Sequence, residues 1–130
     1  MASTNLTVYL IEDSPVLLEL LREAVESSGA TVVGSADTAS KAIADIAAAQ
    51  PDAVTIDIGL KKGNGFDVLE AIAIAYEKPP LRIVLTNYVT DAYREAARRL
   101  GAEYFFDKAK QFRDLVDVLA SYKTWRASPA

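Results

Sequence analysis

"AVTIDIGL", residues 53–60, runs four residues of strand-like character into a carboxylate. Ala53–Ile56 has the length of a short strand and the near-continuous apolar character of one covered on both faces. Asp57 then interrupts it. A carboxylate after a strand is common in loops, so this stretch alone decides nothing about chemistry. Its recurrence decides the fold. Four more runs, Leu6–Ile11, Thr31–Gly34, Arg82–Leu85 and Tyr104–Phe106, have strand length and composition.

Between these runs lie longer segments with helical spacing. Leu17, Leu21, Ala24 and Ser28 line the first; Ala39, Ala42, Ile43 and Ile46 the second; Leu69, Ile72, Ala73 and Tyr76 the third. Tyr93, Ala96, Ala97 and Leu100 mark the fourth, and Phe112, Leu115, Val116, Leu119 and Tyr122 the fifth. Ser14 before Pro15 offers an N-cap followed by a first helical position that needs no N–H. Asn64 and Thr90 are cap candidates, Gly29 and Gly101 stand where helices should stop, and "EKPPLR" cannot continue a helix. Five strand–helix alternations predict a single α/β domain over 1–130, a parallel sheet doubly wound with helices on both faces. Its core is expected at about 6–122, with 126–130, "RASPA", as a loose tail.

Composition narrows the chemistry. The 130 residues carry a net charge of −4, which argues against broad attraction to nucleic acid or an anionic membrane. There is neither cysteine nor histidine, so disulfides, thiolate metal sites and imidazole bases are excluded. The first residues lack a basic region followed by a long apolar run, and no window reaches the length of a membrane span. A cytoplasmic protein is the expectation.

In an open parallel sheet, ligands bind beyond the carboxyl ends of the strands. Glu12 and Asp13 follow the first strand, Asp57 the third, Thr86 ends the fourth, and Lys108 comes just after the fifth. Three carboxylates brought to one rim repel unless a cation shares the site, and a hard ion with oxygen ligands, Mg²⁺ foremost, suits them. A carboxylate can attack phosphorus without a base, while a metal and a lysine steady the phosphoryl oxygens. Taken singly, each residue has an ordinary reading. The acids could cap the following helix, Thr86 could be a satisfied strand-end hydroxyl, Lys108 a solvated lysine, and Phe105 simple core.

Together, "LIEDSP", "TIDIGLKKGNGFDVL", "RIVLTN" and "EYFFDKAK" resemble the receiver domains of two-component response regulators, including the single-domain chemotaxis-regulator type. The resemblance covers Leu6 to Tyr122 and implies a flavodoxin-like fold with strand order 2-1-3-4-5. It implies Asp57 as phosphoacceptor, with Mg²⁺ on Asp13, Asp57 and the Gly59 carbonyl. Glu12 would hold metal-bound water, Thr86 and Lys108 would contact phosphoryl oxygens, and Phe105, three residues before Lys108, would stand at the aromatic switch position, acting with Thr86 in the switch. Such a domain takes phosphate from a sensor histidine kinase or a histidine phosphotransfer protein. It signals to a downstream protein through the fourth helix, fifth strand and fifth helix, a face that also allows a homodimer. It catalyses only its own phosphorylation and dephosphorylation. With little chain after Lys108, a stand-alone receiver is expected.

Three positions depart from the family pattern. Ala109 follows Lys108 where proline through a cis bond is usual; a cis bond to a non-proline costs about 2.5–4 kcal/mol, so the loop is expected either to take a trans route or to hold a strained exception. Asn87 follows Thr86 where a very small residue is usual, Tyr88 stands next, and both are expected to crowd the pocket. Lys61 replaces a common proline. Arg94, Arg98 and Arg99 form a basic cluster that reads either as a solvated face or as a partner surface. Three other functions fit less well. An aspartate-based phosphohydrolase wants a second Asp where Gly59 stands, and an FMN binder wants hydroxyls and amides where Glu12 and Asp13 stand. A degenerate binding-only module would not need the full set of acids.

Overall fold

Residues 5–127 are described by the computed structural model. The strands are β1 (Thr7–Ile11), β2 (Thr31–Ala36), β3 (Ala53–Ile56), β4 (Leu81–Thr86) and β5 (Tyr104–Asp107). They alternate with α1 (Pro15–Ser27), α2 (Ala39–Ala49), α3 (Gly65–Ala75), α4 (Asp91–Arg99) and α5 (Phe112–Ala127). All strand pairs are parallel, in the order β2-β1-β3-β4-β5. This is the doubly wound arrangement expected from the alternation.

The two-residue period of the strands divides the core. Tyr9, Ile11, Val54, Ile56 and Val84 face α2, α3 and α4, meeting Ala42, Ile46, Val68, Leu69, Ile72 and Ala97. Val8, Leu10, Ala53, Ile83 and Leu85 face the other way, onto Leu21 and Val25 of α1 and Leu115 and Leu119 of α5. Three stripes differ from the spacing read in the sequence. In α4, Tyr93 is exposed and only Ala97 is buried. In α1, Val25 is fully buried while Leu17, Ala24 and Ser28 are half-buried, because the helix is turned to bring Leu18, Leu21 and Val25 onto the sheet. In α3, Val68 packs inward and Ala73 faces solvent.

Strand ends also moved outward. β2 continues past Gly34 to Ala36. A glycine reads as a strand end, but here it is needed inside the strand: a Cβ on Gly34 would lie 2.9 Å from Cε1 of Tyr9. The buried tyrosine ring occupies that space, and the β1–β2 register shifts between Val8 and Tyr9. α5 runs through Ala127, two residues into the segment expected to be a tail, whose residues 128–130 lie outside the described residues.

Caps fall where the sequence placed them. Ser14 Oγ accepts from the Leu17 N–H at 3.3 Å, and Thr90 Oγ1 from the Tyr93 N–H at 3.2 Å. Asn64 and Asp67 form a reciprocal capping box at α3. Register then sets the functional rim: Ile11 pairs with Ile56, Ile56 with Val84, and Thr86 with Asp107. The ladder continues one step further, with Asp57 N–H donating to the Ile11 carbonyl at 3.0 Å and Lys108 N–H to the Thr86 carbonyl at 2.9 Å.

Candidate functional site

Asp57 is the centre of the rim. Its carboxylate is buried, and both oxygens are engaged. Oδ1 accepts from the Thr86 hydroxyl at 2.9 Å and from the Gly59 N–H at 3.3 Å. Oδ2 accepts from the Lys108 ammonium at 2.6 Å. The same ammonium lies 2.8 Å from Glu12 Oε1, and the other Glu12 oxygen accepts from the Ser14 N–H at 3.0 Å. One oxygen each from Glu12, Asp13 and Asp57 lie within 4.8 Å of one another. Thr86 at the end of β4 and residues directly after β1, β3 and β5 therefore converge on one rim.

Burial and charge oppose each other here. Burial pushes the Glu12 carboxyl above its ordinary range; the bonds from Lys108 and the Ser14 N–H pull it back in part, and the nearby Asp57 charge adds to the rise. For Lys108, burial would lower the ammonium's pKa, but the bonds to Asp57 and Glu12 outweigh it and leave the pKa raised. Lys108 therefore stays a cation. One ammonium facing three acids leaves the rim short of positive charge, and an all-oxygen donor set fits a hard divalent cation.

An open cavity of about 300 Å³ leads to Asp57, lined among others by Asp13, Leu17, Gly59, Asn87 and Tyr88. Tyr88 leans over it. A Cβ on Gly59 would lie 2.7 Å from Tyr88 Cε2, so the ring sits where any larger side chain would begin. Asn87 is on the lining but exposed. The peptide bond before Ala109 is trans, as are the others among the described residues, and the Ala109 N–H donates to Asp107 Oδ1 at 2.9 Å. Lys61 pairs with Asp37 at 3.1 Å and its N–H donates to the Asp37 carbonyl, tying the β3–α3 loop to the start of α2.

Phe105 is half-buried on β5, where Val84 is its β4 partner. Arg94 of α4 lies over it, 4.7 Å from guanidinium carbon to ring centroid, and donates to the Phe105 carbonyl at 3.2 Å. Arg98 and Arg99 both pair with Glu95, at 2.7 and 3.2 Å, which holds the Glu95 carboxyl down to about 2. The basic cluster is thus divided: two arginines answer an acid on their own helix and one reaches the sheet. The helical spacing of Glu95 before Arg98 and Arg99 allows this pairing, while the reach of Arg94 to the sheet has no signal in the sequence.

The family profile of the response regulator receiver domain matches residues 8–120. The chain belongs to that family. This receiver domain is 33% identical over 115 residues to the photosynthetic apparatus regulatory protein RegA of Rhodobacter capsulatus, covering 87% of the chain and 60% of RegA. It superposes on the signal receiver domain of NarL from Mycobacterium tuberculosis with a TM-score of 0.82 at 26% identity, over 92% of this chain and 97% of that one. The receiver domain of sensor histidine kinase PA1611 from Pseudomonas aeruginosa, which has a magnesium ion coordinated in its active site cleft, shares the fold. There the TM-score is 0.79 at 21% identity, over 92% of this chain and 98% of that one.

The receiver spans only part of its curated relatives, 24% of the length of one and 62% of another. They include a protein-glutamate methylesterase/protein-glutamine glutaminase of Hahella chejuensis. Among the described residues, no helix is long and apolar enough to cross a membrane.

Proposed function

We propose that Asp57 accepts a phosphoryl group from a phosphohistidine of a sensor kinase or phosphotransfer protein in the cytoplasm. The observation that carries this reading is a buried carboxylate held between the Thr86 hydroxyl at 2.9 Å and the Lys108 ammonium at 2.6 Å, with two further acids beside it. Asp13, Asp57 and the Gly59 carbonyl would hold Mg²⁺, with Glu12 reaching it through water. When bound, the ion offsets the crowded negative charge and steadies the phosphoryl oxygens.

In the transfer, an Asp57 oxygen forms a bond to phosphorus as the donor P–N bond breaks. The imidazole nitrogen leaves with the electron pair. A carboxylate nucleophile needs no base to activate it, so the absence of histidine from the chain is no obstacle. Thr86 and Lys108 exchange their Asp57 oxygens for phosphoryl oxygens. No separate substrate is turned over.

That exchange is also the signal. Thr86 ends β4 beside β5, so its movement reaches Phe105, and Arg94 links Phe105 to α4. A downstream protein, or a second copy of the chain, would read the α4–β5–α5 face. The two arrangements need differ by only a few kcal/mol for phosphate to tip them. Amide chemical shifts should change on phosphorylation across Thr90–Leu100 and Tyr104–Phe112. Changes confined to the cavity would leave Asp57 a passive carrier.

The primary test is incubation with acetyl phosphate and Mg²⁺ followed by intact mass: one phosphoryl group is gained, and none without a divalent metal. Asp13→Ala should weaken Mg²⁺ binding, followed by titration calorimetry, and phosphorylation together. Unaltered Mg²⁺ affinity in that variant would remove the shared-site argument.

A further inference from the structure

We propose that Tyr93 is a positioning residue for hydrolysis of phosphorylated Asp57: it holds the Tyr88 ring across Gly59 and so sets how readily water reaches the phosphorus. This rests on Asp57 being the acceptor.

Hydrolysis forms a bond from a water oxygen to phosphorus while the P–O bond to Asp57 breaks. The carboxylate is regenerated, orthophosphate leaves, and the water's proton passes to solvent. The water must approach in line, from the side opposite Asp57. That side is the cavity mouth, whose lining includes Gly59, Leu60, Asn87 and Tyr88. The Tyr88 ring fills the Gly59 side, with Cε2 at 2.7 Å and the hydroxyl at 3.2 Å from the place of a Cβ there.

Burial does not keep the ring in place, because Tyr88 is 51% exposed. Its support is Tyr93 in the first turn of α4, met edge-on with centroids 5.9 Å apart and planes at 71°. Tyr93 is itself braced by Phe66 of α3 at 5.7 Å and 57°. Three rings therefore run from α3 over α4 to the mouth. At the backbone, Tyr88 N–H donates to Thr86 Oγ1 at 3.2 Å, so the ring's base is fixed to the residue that touches Asp57. Without Tyr93 the base stays while the ring gains rotamers that point to solvent.

Phosphorylated protein freed of acetyl phosphate by rapid desalting is followed by intact mass. Tyr88→Ala decays faster than wild type. Tyr93→Ala also decays faster, by about 2- to 10-fold, the range set by one edge-on aromatic contact. Tyr93→Phe keeps the ring and decays like wild type. The double variant decays no faster than Tyr88→Ala, since Tyr93 acts only through Tyr88. Decay of Tyr93→Ala at the wild-type rate, or independent effects in the double variant, overturns the proposal. If Tyr93→Ala melts before the assay temperature, Tyr93→Leu takes its place under the same two criteria. A wild-type protein that gains no phosphoryl group overturns the acceptor reading and this one with it. One that is labelled but has a lifetime indifferent to Tyr93 overturns this one alone.

Discussion

Asp57→Asn gains no phosphoryl group from acetyl phosphate under conditions in which the wild-type chain gains one. The substitution is nearly isosteric, so the Thr86 hydroxyl keeps an acceptor and Lys108 keeps Glu12 at 2.8 Å. What disappears is the nucleophile. A neutral amide oxygen is a poor attacker on phosphorus, and the cation site loses one of its three acids. Intact mass reads the outcome directly, and circular dichroism verifies that the fold persists. A mass gain in the variant would move the acceptor elsewhere, with Asp13 the first residue to examine.

Lys108→Met should lower stability in Mg²⁺-free buffer by about 3–5 kcal/mol, the usual cost of removing one partner from a buried ion pair. Methionine matches the lysine stem in length and polarity, so lost packing is a minor part of the effect. The larger part is electrostatic. Glu12 and Asp57 are buried, Asp13 is within 4.8 Å, and the ammonium at 2.8 and 2.6 Å is the cation that both meet. Urea unfolding with and without Mg²⁺ tests the account, because an ion bound only by the folded state should recover part of the loss. A cost under about 1 kcal/mol would mean that water screens the group as it does a surface pair.

Much of this was legible in the chain. Strand-length runs separated by helical stripes predict a parallel sheet, and that sheet alone brings Glu12, Asp57, Thr86 and Lys108 to one rim. Their contacts needed only that each stand at the end of its strand or directly after it. The illegible parts share a cause: they depend on which way a side chain turns once neighbours from other segments are present. Gly34 looked like an end because Tyr9, twenty-five positions earlier, could not be known to lie on it. Val25 was passed over because the rotation of α1 is fixed by the sheet and by α5, to which its own spacing gives no access. Arg94 looked like its neighbours Arg98 and Arg99 because Phe105, whose ring and carbonyl it meets, belongs to another segment. The trans bond at Ala109 is the cheaper of the two routes left open by the sequence, in keeping with the residue's own chemistry.

The row of rings from Phe66 through Tyr93 to Tyr88 also bears on time. On the proposed reading, a partner would sense the state of Asp57 through α4 or its neighbours, and α4 carries the middle ring. Whatever holds that helix still also holds the cover over the mouth. The listener would then prolong the message it hears, and a listener that pulled the helix away would cut it short. Signal duration becomes a property of the complex, so that two partners of equal affinity could give the same receiver different memories of one stimulus.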